Sequence, residues 1–145
     1  MRGNLADMLA VVATVDPGNL SAGSHSTDAV DMSKFEEVMF IVAVGTLGTS
    51  GTVDFKVQES DQAAGTYSDI SGKSITQLTD AGNDDNKQAV VVVKASELTP
   101  GKRYVKGVLT VGTAASDACV VAIAGKPRYA PASAFDLSSV DEIVE

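Results

Sequence analysis

The stretch Val38-Met39-Phe40-Ile41-Val42-Ala43-Val44, then Gly45-Thr46-Leu47-Gly48-Thr49-Ser50-Gly51, then Thr52-Val53-Asp54-Phe55-Lys56-Val57 decides the fold. Its first segment is a continuous apolar run of β-branched and aromatic residues. Its last alternates apolar Val53, Phe55 and Val57 with polar Asp54, Lys56 and Gln58. A glycine- and threonine-rich link joins the two, and the pattern predicts a hairpin in which a central strand feeds a half-exposed neighbour.

Downstream, Ser74-Ile75-Thr76-Gln77-Leu78 alternates, Val90-Val91-Val92-Val93 is wholly apolar, and Arg103 to Val111 alternates again. Gly112-Thr113-Ala114-Ala115-Ser116-Asp117 then reads as a second hairpin turn, leading into a strand around Cys119 that ends near Gly125. The polar, glycine-bounded segment Gln58 to Gly65 and the following Thr66-Tyr67-Ser68-Asp69-Ile70 are expected to carry the chain from one sheet to the other. Upstream, Leu5, Met8, Leu9, Val11 and Val12 are spaced for a short helix turning into a strand, which Asp16-Pro17-Gly18-Asn19 is expected to end. Leu20 to Thr27 is small and polar, an ordered loop or a mobile arm. Ala29-Val30 suits a short edge strand.

About seven or eight short strands with close turn signals and no long helix indicate an all-β, antiparallel β-sandwich or barrel. Greek-key and jelly-roll crossings both fit the connection lengths. A chain of 145 residues is the size of a single domain and buries roughly two thirds of its unfolded surface. Residues 1–145 are therefore read as one sandwich, with 1–26 as an N-terminal arm and 126–145, opened by Lys126-Pro127-Arg128-Tyr129-Ala130-Pro131, as an extended C-terminal arm. The apolar residues of that tail call for a surface, on its own domain or on a neighbouring subunit.

The residues offer little chemistry. The formal net charge of -8 argues against a surface that grips phosphates, so nucleic acid is not an expected partner. No apolar run approaches the roughly 20 residues of a membrane-spanning helix, and Asp7 interrupts what would be a secretory signal. His25 is the sole histidine and lies in Gly23-Ser24-His25-Ser26, which has no nucleophile-elbow pattern and is expected to be a flexible surface loop. Cys119 sits in an apolar run and is expected to be core filler. In the acidic loop Asp80 to Asn86 an EF-hand count from Asp80 places Asp85 where glycine is needed and Val91 where glutamate is needed; an irregular cation site or a solvated turn remains. No glycine stretch matches a P-loop or dinucleotide fingerprint. No catalytic, metal or cofactor-binding residue is assigned, and the chain is not expected to be an enzyme. A sugar site would rest on Tyr67, Tyr104 and Tyr129, since there is no tryptophan.

Thr27-Asp28-Ala29-Val30-Asp31-Met32, the Phe40 to Gly45 strand, Val57-Gln58-Glu59-Ser60-Asp61, Gly65 to Gly72, Arg103-Tyr104 and Pro127-Arg128-Tyr129-Ala130-Pro131 together resemble small structural proteins of tailed-bacteriophage heads. The resemblance covers most of the chain from about Thr27 onward. It implies a capsid decoration, or cement, protein: a jelly-roll-like sandwich, made in the host cytoplasm, that binds the outer surface of the expanded head and clamps neighbouring major capsid protein subunits. It implies a homo-oligomer as well, a trimer rather than a dimer by analogy. The arms would carry the contacts, through Leu5 and Leu9 at one end and Arg128, Tyr129, Phe135, Leu137, Val140 and Ile143 at the other. The alternative is a virion surface module that binds a host glycan or receptor.

Overall fold

A computed structural model describes residues 3–145; residues 1–2 of the expected N-terminal arm lie outside the described residues. The chain begins with one helical turn, α1 (Leu5–Met8), whose first N–H groups are capped by Asn4 and Asp7. The strands follow: β1 (Leu9–Leu20), β2 (Gly23–Ser26), β3 (Val30–Asp31), β4 (Phe35–Val44), β5 (Thr52–Ser60), β6 (Ser68–Ser74), β7 (Leu78–Thr79), β8 (Gln88–Lys94), β9 (Tyr104–Gly112) and β10 (Ser116–Pro127).

One sheet has the order β1-β10-β4-β8 and the other β2-β9-β5-β6, with β3 on β9 and β7 on β5. All pairings are antiparallel. Apart from the two-residue strands β3 and β7, successive strands alternate between the sheets everywhere except at β5-β6. That order of crossings is the jelly roll, two interlocked Greek keys closed into a sandwich.

The topology corrects three readings of the sequence. β4 and β5 do not pair as a hairpin: β4 lies between β10 and β8, and β5 lies between β9 and β6. The link Gly45 to Gly51 is a corner from one sheet to the other, and Leu47 plugs the sandwich end within it at 4 % exposure. The link between β9 and β10 is the second corner, and the two corners bind each other: Gly45 N–H donates to Asp117 C=O (2.8 Å) and Asp117 N–H to Thr46 C=O (2.9 Å). Conversely, the expected crossing near Thr66 to Ile70 is the entry to the one same-sheet hairpin, β5-β6.

The N-terminal stretch is not an arm beyond α1, because Leu9–Leu20 and Gly23–Ser26 form β1 and β2. Pro17 does not end β1, because the register shifts between Val15 and Gly18 and leaves the proline outside the ladder. β2 pairs with β9 and so orders the segment around His25. At the other end β10 runs through Pro127, and the tail departs only after it.

The core lies between the sheets. Phe35, Val38, Phe40, Val42 and Val44 of β4 face Val53, Phe55 and Val57 of β5 and Val105, Leu109 and Val111 of β9, all buried. Each such side chain contributes about 1.5–3 kcal/mol when fully withdrawn from water. The Phe40 and Phe55 rings meet across the sheets at 5.7 Å and 48°. Buried Glu59 accepts from Thr99 N–H (3.0 Å) and from its hydroxyl, which ties the β8-β9 link to β5. Asp31 receives a two-pronged bond from Arg103 (2.9 and 2.8 Å), pinning β3 at the start of β9. The Arg103 guanidinium holds the Asp31 carboxyl well below the usual carboxylate range.

Candidate docking surface

The two sheets differ sharply on the sides they turn away from the core. Strand alternation points Val38, Phe40 and Val42 inward and Met39, Ile41 and Ala43 outward. The register sets these outward residues in rows. Val11, Ile123, Met39 and Val92 lie side by side across β1, β10, β4 and β8, and beside them run Thr14, Val121, Ile41 and Val90. Cys119 and Ala43 extend the field at one end and Leu9 at the other. Val90 is 55 % exposed, Val92 40 % and Leu9 38 %; the rest are half-buried by their neighbours. The middle of this sheet face is therefore apolar on its solvent side, with Gln88 toward one end and Glu37 and Lys94 at the other.

The opposite face is polar. Outward from β5 and β9 stand Asp54, Lys56, Gln58, Tyr104, Lys106 and Thr110. Asp69 of β6 accepts from Lys56 (3.0 Å) and Gln58 (2.7 Å), so this face resembles an ordinary hydrated sheet. The aromatic rings near it carry cations: Lys106 Nζ lies 4.4 Å from the Tyr67 centroid and the Arg103 guanidinium 5.2 Å from that of Tyr104.

Both edges of the apolar sheet are partly covered. Along β1 the C-terminal tail folds back, with Ala132 N–H on Asp7 C=O (2.7 Å) and Asp136 N–H on Val11 C=O (2.8 Å). Ser139 bonds Thr14 (2.8 Å) and Asp16 (2.9 Å). Asp136 also approaches Asp28. Burial and the Asp136 carboxyl push Asp28 up, while the Ser138 hydroxyl holds Asp136 down. Along β8 the Lys73 ammonium donates to Val92 C=O (2.8 Å) and pairs with Glu97 (2.6 Å), whose carboxylate accepts from Lys94 N–H (3.2 Å). A lysine laid across an edge strand blocks strand addition there.

The residues expected to make contacts through the arms fall into three settings. Leu9 belongs to the apolar face. Phe135 packs partly buried against the core, and Val140 is half-buried where Val140 N–H meets Asp136 C=O. Leu5, Arg128, Tyr129, Leu137 and Ile143 are exposed, Tyr129 at 88 %. The tail thus lies on its own domain at least through Val140.

Other residues singled out in the sequence have structural roles. Asp80, Asp84 and Asp85 accept from Ser50, Thr79 and Leu47 N–H respectively, each at 2.9 Å, so the loop holds the sandwich end together. His25 stands on β2, where its Nε2 lies 2.9 Å from Ser21 C=O, to which Nε2–H donates. Cys119 is not core filler: Ala118, Val120 and Ala122 take the inward positions, and Cys119 faces out on the apolar sheet, half-buried, with its thiol pushed up by burial. Two shallow troughs mark that face, one along Leu9, Met39, Val92 and Ile123, the other along Pro17, Ala43, Asp117 and Cys119. Sequence reasoning missed this surface because its apolar runs suit strands buried on both sides equally well.

No family model matches this chain, and no curated protein does. Among solved structures it is similar to a chain of Broad Bean Stain Virus (TM-score 0.47, 8 % identity, 94 % of this chain and 98 % of that one). It is also similar to a chain of Triatoma Virus (TM-score 0.48, 10 % identity, 88 % and 69 %). A third similar chain comprises the CBM22-1 and GH10 modules of a Clostridium thermocellum xylanase (TM-score 0.42, 12 % identity, 88 % and 29 %). These similarities concern the β-sandwich fold.

Proposed function

We propose that this protein is a virion structural protein, a capsid decoration protein that works by assembly on the outer surface of a phage head. In this role it binds major capsid protein subunits and holds neighbours together, as a homo-oligomer. The observation that carries the proposal is the contrast between the two sheet faces. An apolar face of this extent, opposite a hydrated one, suits a protein that is covered on one side by another protein. The tail along β1 and Lys73 across β8 hinder strand-by-strand growth, which suits a particle of fixed geometry. The exposed Leu5, Tyr129, Leu137 and Ile143 on the N-terminal turn and the tail offer further apolar contacts. Many such contacts repeated over a lattice bind by avidity.

A glycan-binding role is the weaker alternative, because the Tyr67 and Tyr104 rings already carry cations and the apolar face has no aromatic platform. The test uses DNA-filled heads with and without the protein. Addition of the protein is expected to saturate the heads and raise the temperature at which they release DNA. Failure to bind, or binding with no change in release temperature, overturns the proposal.

A further inference from the structure

We propose that the outer face of the β1-β10-β4-β8 sheet is a two-fold self-association surface, on which a second copy of this chain packs face to face with its strands reversed end for end. The inference deepens the assembly role proposed above, and rests on it, by naming the occupant of the apolar face.

Three observations select a second copy. The first is that the tail lies along β1 and Lys73 crosses β8 at Val92, so the broad apolar surface left open is the face of the sheet. Face-to-face packing of two sheets is a standard way to cover such a surface.

The second is charge. The trough at the Cys119 end has Asp117 as the only ionised side chain in its lining. The hollow at the far end of the same sheet is lined by Lys94, Lys126 and Arg128 against Glu36 and Glu37, with Lys126 paired to Glu37 at 3.2 Å. A two-fold axis lying in the face and across the strands sets the acidic end of each copy over the basic end of the other. The surface is then complementary to itself, as an isologous contact requires. It also lays the row of Met39 and Ile123 onto the row of Ile41 and Val121 of the second copy.

The third is size. At about 33 Å² of sheet per outward residue, the ten or so apolar positions of the face cover about 330 Å². With the charged residues at its two ends included, the face approaches the roughly 600 Å² per partner at the lower end of specific interfaces.

Sedimentation equilibrium across a wide range of protein concentration tests the assignment. The intact chain is expected to pass reversibly from one copy to two, and alkylation of Cys119, the sole thiol, is expected to slow as dimer forms. Ile41→Lys puts an unpaired charge in the centre of the contact and is expected to weaken association more than about 100-fold. Val90→Lys, at a position already 55 % exposed, gives the same loss with little demand on folding. Thr110→Lys on the polar face is expected to leave association unchanged. Asp117→Lys is expected to weaken it several-fold, and adding Lys126→Asp to the same chain to restore it. A monomer at every concentration overturns the assignment, as does a trimer, or a dimer that survives both lysine variants on the apolar face. Strengthening by Asp117→Asn, which removes a like-charge contact without creating another, overturns the reversed orientation, because it would mean that like ends meet. Heads decorated by a strict monomer would remove this inference and leave the decoration role, and a dimer that ignores heads would do the opposite.

Discussion

Gly107 offers the sharpest test of how the two sheets meet. It lies on β9 and faces the core, where a Cβ would stand 2.5 Å from Phe55 Cζ, 2.6 Å from its Cε1 and 3.2 Å from Phe40 Cδ1. Both rings are fully buried, so neither can swing into solvent. Gly107→Ala must therefore displace an aromatic ring within a close-packed interior, at a cost of about 1–3 kcal/mol. The reduced freedom of the unfolded chain returns less than about 1 kcal/mol. A net loss of about 1 kcal/mol in a chain of this length lowers the melting temperature by about 2–4 °C. Circular dichroism melts, with guanidinium titrations for the free energy, measure both. Phe55→Leu removes the atoms that collide, so the double variant is expected to be more stable than the two single losses added, by about 1 kcal/mol or more. A Gly107→Ala protein that melts with the original, or losses that add, would refute the packing of β9 against β4 and β5 described above.

Asp31→Asn tests the clamp on β9. The folded carboxyl titrates below its ordinary value of 3.8, so on acidification the unfolded chain takes up the proton first. The stability it contributes is complete above that value and is lost as the pH falls through it toward the folded value. The variant is expected to be less stable than the original at neutral pH and to converge with it in acid, which denaturant titrations at a series of pH values would reveal. Phe135→Ala is expected to cost about 1–2 kcal/mol, less than a fully buried ring, and to loosen the tail from β1. Limited proteolysis read by mass spectrometry should then cut after residue 128 while the sandwich stays whole.

Much of the fold is legible in the residues. The β4 run and the alternation of β5 and β9 mark core strands and their inward faces, and the β-sandwich follows from them. Pairing does not follow, because a seven-residue link between apolar strands serves a hairpin and a sheet-to-sheet corner alike. One signal is present: Leu47, an apolar residue in mid-link, has a reason to be buried only if the link crosses the end of a sandwich. Pro17 misleads because a proline ends a regular ladder but is tolerated on an edge strand where the register slips. β6, with Ser68, Asp69 and Ser71, is too polar to read as a strand, as an edge strand on a hydrated face is free to be.

The docking surface is hidden for a related reason. Val38 to Val44, Val90 to Val93 and Ala118 to Ala124 are apolar at both parities, and only half of those side chains fit between the sheets. The other half, Met39, Ile41, Val90, Val92, Cys119, Val121 and Ile123, form the outward field. In a helix-covered sheet the same pattern would be core. Here no helix among the described residues covers it, since α1 is a single turn and the 3₁₀ turn Ala95–Glu97 caps β8.

A cryo-electron map of a decorated head tests the central claim most directly. It is expected to show the β1-β10-β4-β8 faces of two copies pressed together across a two-fold axis, the Asp117 end of each over the Lys126 and Arg128 end of the other, with Lys56 and Lys106 of the polar face in solvent. A map in which Met39, Ile41 and Val121 face open solvent, or lie against the major capsid protein, would contradict it.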